Sequence, residues 1–226
     1  MKGSSDLMEG LYRICEWIMR FTVINLLWFL FNIPIVFILL TIIFVEQKVV
    51  LVVLLLPLII LLPVLFFPAT TAMFASARDW VIQEESTSIR QYWRYYKENY
   101  KKSLRGGLVL TAIWTFWAVD FYYFSKENII FMGIFLLIGI VLFVFSINFF
   151  SIIAHYHMKV VPAMKNALLI TFGSPVLFLT ILISNSILLY FSLTVFWFLL
   201  PFFTGSLIAY LSFSAFYRFY LKVLSA

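Results

Sequence analysis

Apolar residues along this chain come in long blocks separated by short polar breaks. The first block runs from Trp17 to Val45 and is interrupted only by Arg20; Glu46, Gln47 and Lys48 then form a tight polar turn. A second block runs from Val49 to Ala77. After a long polar segment, Arg78 to Arg105, a third begins at Gly107 and ends at Phe124. Ser125 to Asn128 is another tight turn, and Ile129 to His155 is the fourth block. A basic link, His157 to Lys165, precedes a fifth block at Leu168 to Phe191, and a weak break at Ser192 to Thr194 leads into a sixth that ends at Tyr217. About 20 consecutive apolar residues form a helix long enough to cross a ~30 Å hydrocarbon core. The pattern therefore predicts an all-α, polytopic membrane helix bundle. Its six spans lie at 17–45, 49–77, 107–124, 129–155, 168–191 and 194–217, within one integral membrane domain over 1–226. The last apolar stretch is far too long for a single crossing, which is why it is divided near Ser192.

The polar segment between spans two and three has its own periodicity. Ser88 with Gln91 three residues later is a capping-box pattern that starts a helix. Ile89, Trp93, Tyr96, Tyr100 and Leu104 then recur at helical spacing, with Arg90, Arg94, Lys97 and Lys101 as a cationic stripe one position over. Such a helix is expected to lie in the membrane interface, with its rings at headgroup depth and its cations toward lipid phosphates. A docking surface for a cytoplasmic partner is the secondary reading and is compatible with the first. Leu11 to Met19 shows a fainter version of the same pattern. Three prolines, Pro57, Pro63 and Pro68, punctuate span two and are expected to kink it, since each removes a helix hydrogen bond. The small residues after Pro68, from Ala69 to Ala77, allow close helix approach.

Composition agrees with a membrane fold. Of 226 residues, 64% are hydrophobic and 12% charged, against roughly 25% charged in a soluble domain. The net charge of +6 comes with no nucleic-acid-binding motif, so no nucleic-acid partner is expected. Fourteen of the 16 basic residues fall on one side of the six-span layout, leaving only Lys48 and Lys126 on the other. By the positive-inside rule this places both termini and the 78–105 link in the cytoplasm. The first residues mix Lys2 and Arg13 with Asp6, Glu9 and Glu16, unlike a cleavable signal peptide. Cys15 is the sole cysteine; with no disulfide partner it is expected to pack as a small hydrophobe.

Candidate chemistry is sparse. Intramembrane polar residues are functional candidates by default, and here they are Asn25, Asn32, Asp120, Asn148 and Asn185. The asparagines are expected to make interhelical hydrogen bonds. Asn32 with Pro34 suggests a local break in span one, and Asp120 an interfacial acid near Lys126. His155 and His157 point to different helix faces and have no cysteine or carboxylate close in sequence, so no metal site is expected. No nucleophile elbow, HExxH or phosphate loop is present. No enzymatic activity and no cofactor are expected. A short echo between Lys97-Glu98-Asn99 and Met164-Lys165-Asn166 hints at a repeat of spans two–three in four–five.

Several segments match a known pattern. Gly10 to Arg20, then Asn25-Leu-Leu-Trp28 and Phe31-Asn-Ile-Pro34, resemble the opening of the YesL-like proteins, bacterial integral membrane proteins of unknown activity. Pro68 to Met73 and the run from Tyr96 to Leu104 also look like that family. The resemblance covers nearly the whole chain and is strongest in its first half. It implies an accessory or permease-like role beside carbohydrate-uptake systems of the bacterial cytoplasmic membrane, with ABC-transporter or sensor subunits as partners. It supplies no catalytic or binding residues. A transporter or channel, which at this length would act as a homo-oligomer, and a structural lipid-interacting envelope protein are the other readings.

Overall fold

A computed structural model describes residues 2–83, 88–126 and 128–225. Among them there are eight α-helices, two π-helical turns and no strand. Six helical stretches are long and apolar enough to cross a membrane: Met8–Phe44, Val49–Ile82, Ile89–Phe124, Ile129–His155, Pro175–Thr194 and Leu200–Leu224. The molecule is an all-α polytopic bundle, and the break near Ser192 does divide the last apolar stretch in two.

Helix α1, Lys2–Phe44, has 43 residues and is about 64 Å long, some twice the thickness of a ~30 Å core. The local break expected at Asn32 and Pro34 is absent. Pro34 lies on an exposed face inside a continuous helix, and the Asn32 amide donates to the Trp28 carbonyl one turn back at 2.7 Å. Span two comprises α2 (Lys48–Leu61), a π turn (Leu62–Phe66) and α3 (Phe67–Ile82). Of its three prolines, Pro57 sits inside α2 without interrupting it. Pro63 is the second residue of the π turn and Pro68 the second of α3. The ladder thus changes register at Pro63 alone, where a missing N–H is absorbed by a wider turn.

Helix α3 fills the middle of the bundle. Thirteen of its 16 residues are buried, and it packs against α1, α4, α5 and α8. The small residues from Ala69 to Ala77 let four neighbours approach one backbone. Helix α4, Ile89–Phe124, begins at the expected capping box: Ser88 Oγ accepts from Gln91 N–H at 3.2 Å, and Gln91 Oε1 accepts from Ser88 N–H at 2.7 Å. It then continues for 36 residues. The amphipathic segment is therefore the first half of span three's own helix and not a separate element. The two halves join at Gly106 and Gly107, where α4 closes on α5 and α3. A Cβ on Gly106 would lie 2.2 Å from the Phe149 ring, and one on Gly107 2.8 Å from the Phe67 ring.

Helix α5, Ile129–His155, is capped by Asn128, whose Oδ1 accepts from Ile130 N–H at 2.8 Å. The expected single fifth span is divided. A short helix α6, Val160–Gly173, absorbs most of the basic link, and α7, Pro175–Thr194, follows after Ser174. Pro175 drives Ser174 out of helical geometry (φ −129°, ψ 89°), and Ser174 Oγ caps the new helix. A second π turn, Leu200–Thr204, again with proline in second place, leads into α8, Gly205–Leu224.

Burial is uneven along the spans. Buried residues concentrate in α3, the first half of α4, the second half of α5, the first half of α8 and Arg20–Ile35 of α1. Exposed aliphatics dominate Phe37–Phe44, Val49–Ile60 and Ile129–Ile138. The packed core thus sits toward the end of the bundle that carries most of the basic residues, and the opposite end is apolar surface fit for lipid.

Candidate functional site

The polar chemistry of the molecule gathers at that basic end. The cationic stripe of α4 stands as its periodicity implies: Arg90, Arg94, Lys97 and Lys101 are all exposed. Its rings are placed differently. Trp93 is 44% exposed, stacks on Tyr96 with ring centroids 5.5 Å apart and carries Lys97 Nζ 4.8 Å above its own ring. Tyr96, however, is buried against Phe31 of α1 at 4.5 Å, and Tyr100 is half-buried. Tyr92 and Tyr95, one position off the expected aromatic face, are buried too. Three tyrosines thus fasten this half of α4 to the bundle, leaving Ile89 and Trp93 as its exposed large apolar groups.

Tyr95 reaches a feature that sequence reasoning missed because Arg78 and Asp79 fall in the polar link. Asp79 is only 4% exposed. Arg78 Nε and Nη2 hold its Oδ1 at 3.1 and 2.8 Å, and the Tyr95 hydroxyl donates to its Oδ2. Arg78 Nη1 also donates to the Ala154 carbonyl at 2.7 Å, so the group joins α3, α4 and the end of α5. The adjacent His155 is enclosed by the rings of Tyr156, Phe216 and Tyr220. Beyond α5, burial and then the neighbouring Tyr220 push the Tyr156 phenol up to about 12, so it stays protonated at neutral pH. His157 is exposed.

Beside this group lies a cleft of about 570 Å³ between α1, α3 and α8. Arg13, Glu16, Trp17 and Arg20 recur at i, i+3, i+4 and i+7 and so share one face of α1. Tyr210, Ser214, Tyr217 and Arg218, at i, i+4, i+7 and i+8, share one face of α8, and Trp80 comes from α3. Arg20 is 9% exposed; it is paired with Glu16, and its guanidinium stacks 5.0 Å from the Trp17 ring centroid. Trp17 in turn contacts Tyr210 at 5.3 Å and Trp80 at 6.4 Å. Trp80 is 2% exposed, and its indole N–H has no acceptor.

Three of the four deep asparagines fasten separate elements together. Asn25 donates to the Leu200 carbonyl at 3.0 Å and accepts from Ser206 N–H at 2.9 Å, bridging the second π turn. Asn148 bonds Thr171 and Asn185 bonds Ser212, each at 2.9 Å. Asn32 bonds only within α1, and its Oδ1 is buried without a donor. Asp120 is exposed, and among the described residues it forms no ion pair; Lys126 lies instead over the Tyr122 ring at 3.9 Å. Cys15 is exposed on α1, contrary to its expected burial, because the first turns of that helix run beyond the bundle.

The model of a family described as protein of unknown function, DUF624, matches residues 21–121. Two proteins of Bacillus subtilis (strain 168), both described as uncharacterized, are similar over most of their length. YteU is 28% identical over 216 residues, covering 93% of this chain and 85% of YteU. YesL is 25% identical over 171 residues, covering 74% and 69%. No solved structure matches. Over most of its length this chain is accordingly similar to these two uncharacterized proteins, YteU and YesL.

Proposed function

We propose that this protein is an accessory subunit of the bacterial cytoplasmic membrane that serves a carbohydrate-uptake or other envelope complex and performs no catalysis of its own. The observation that carries this reading is the filling of the bundle's centre. A helix buried along 13 of its 16 residues occupies the middle, and the amide N–H groups of Asn25, Asn148 and Asn185 each donate to another helix or turn. At the basic end, the cations Arg90, Arg94, Lys97 and Lys101 and the Trp93 ring stay on the surface, open to recognition. A partner such as an ABC-transporter or sensor subunit would dock there, on the cytoplasmic side by the distribution of Lys and Arg. The test is affinity purification at native expression in mild detergent. Recovery of a transporter or sensor subunit is expected, and repeated recovery of this chain alone would refute the role.

A transporter is the second reading, favoured by the two π turns that place irregular backbone within spans two and six. Sugar or ion flux into liposomes holding only this protein would establish it over the accessory role.

A further inference from the structure

We infer that the cleft between α1, α3 and α8 is a binding site for an anionic phosphate group. The inference is independent of the accessory role.

Charge is the first ground. Arg13, Arg20 and Arg218 meet in this cleft, with Glu16 as the sole acid among its lining residues. Glu16 is engaged by Arg20. Arg13 pairs with Glu9 on the open face of α1, where both side chains are well exposed; such a pair is weak and readily exchanged. Arg218 forms no ion pair among the described residues. Guanidinium groups match phosphate oxygens in pairs, which gives them both strength and direction there.

An orphan donor is the second ground. The Trp80 indole N–H is removed from water and unmatched by any protein acceptor. Trp80 lines the cleft; its N–H is covered as the side chain stands, and a small rotation of the ring toward a bound oxygen would relieve the cost of the unpaired donor. The hydroxyls of Tyr210, Ser214 and Tyr217 line the same space.

Position is the third. Arg20 lies one turn inside the start of the first apolar block and Arg218 directly after the end of the last, so on the six-span layout the cleft falls near the membrane surface. A lipid phosphate could enter from the side, and a soluble organophosphate from the water; both present the same oxygens. Basic pockets between membrane helices are suited to such groups.

Purified protein is placed in nanodiscs of phosphatidylcholine alone or mixed with phosphatidylglycerol, and retained lipid is counted by native mass spectrometry. In the phosphatidylcholine discs, thermal stability is also measured with inorganic phosphate or glycerol 1-phosphate against chloride of equal ionic strength. Selective retention of phosphatidylglycerol assigns the lipid source, and stabilisation by the soluble phosphates assigns the other. In either case Arg218→Gln should weaken binding about tenfold, the worth of one charge-assisted hydrogen-bonding group. Trp80→Phe should weaken it without changing charge, and Arg94→Gln with Lys97→Gln on α4 should leave it intact. Should Arg218→Gln fail to fold, Arg13→Gln, whose side chain is exposed, carries the same test. Absence of both signals in the wild type, or equal loss in the α4 double variant, overturns the inference.

Discussion

At the residue scale, Asn25 does two jobs with one amide. It satisfies a carbonyl and an N–H at the π turn of another helix, at depths where water cannot substitute. Gly205 makes the approach possible, since a Cβ there would lie 2.9 Å from Asn25 Oδ1. Asn25→Ala should cost about 2–4 kcal/mol, because two buried backbone groups lose their partner. Gly205→Ala should displace the same amide, so the double variant should be less damaged than the sum of the singles, read as coupling in denaturant unfolding. The Asp79 group ranks differently. Asp79→Asn leaves a partly buried guanidinium without its counter-charge and should cost about 3 kcal/mol. Tyr95→Phe removes one hydrogen bond and should cost about 1 kcal/mol. Equal losses in the same unfolding assay would show that Arg78 does not depend on the carboxylate.

At the scale of elements, the existence of every span was legible because block length alone decides it. Interruptions were less so. Proline content marks where a helix can be disturbed, yet Pro34 and Pro57 are carried within helices, whereas Pro63 and Pro201 coincide with π turns. At the second π turn Asn25 of a distant helix supplies the backbone with partners, a contact that no local pattern records. The α4 stripe was legible in its cations and not in its rings. Trp93, Tyr96 and Tyr100 share a sequence period, but Phe31 of α1, some 60 residues earlier, decides which of them is covered. Cysteines at 94, 97 and 101 in a Cys15→Ser background should therefore react readily with a soluble thiol reagent, and cysteines at 92, 96 and 103 should not. Comparable rates at 96 and 97 would mean that this half of α4 leaves the bundle. The cleft escaped sequence reading altogether, since its residues come from three helices spread from Arg13 to Arg218.

At the scale of the whole molecule, the basic residues and the packed core share one end. That coincidence ties orientation to stability: the end held by the positive-inside rule is also the end where the helices grip one another. With that end in the cytoplasm, a cysteine at Gln47 should react with an impermeant thiol reagent added to intact cells, and one at Gln83 should stay silent until the membrane is opened. The reverse labelling would invert the topology. The opposite end leans on lipid, since Val49–Ile60 and Ile129–Ile138 present exposed aliphatics there.

The bridge from Asn25 to Leu200 and Ser206 joins residues 175 and 181 positions apart, and this has a bearing on biosynthesis. The first span enters the bilayer while the last is still unmade, so its amide must wait in lipid for most of translation. Completion of the sixth span then closes the assembly. A chain terminated before Leu200 would keep every earlier hydrophobic block and still display an unsatisfied amide, the kind of flaw by which membrane quality control could recognise an unfinished product. In pulse-chase labelling such a truncation should decay faster than the full chain, and Asn25→Leu should slow its loss.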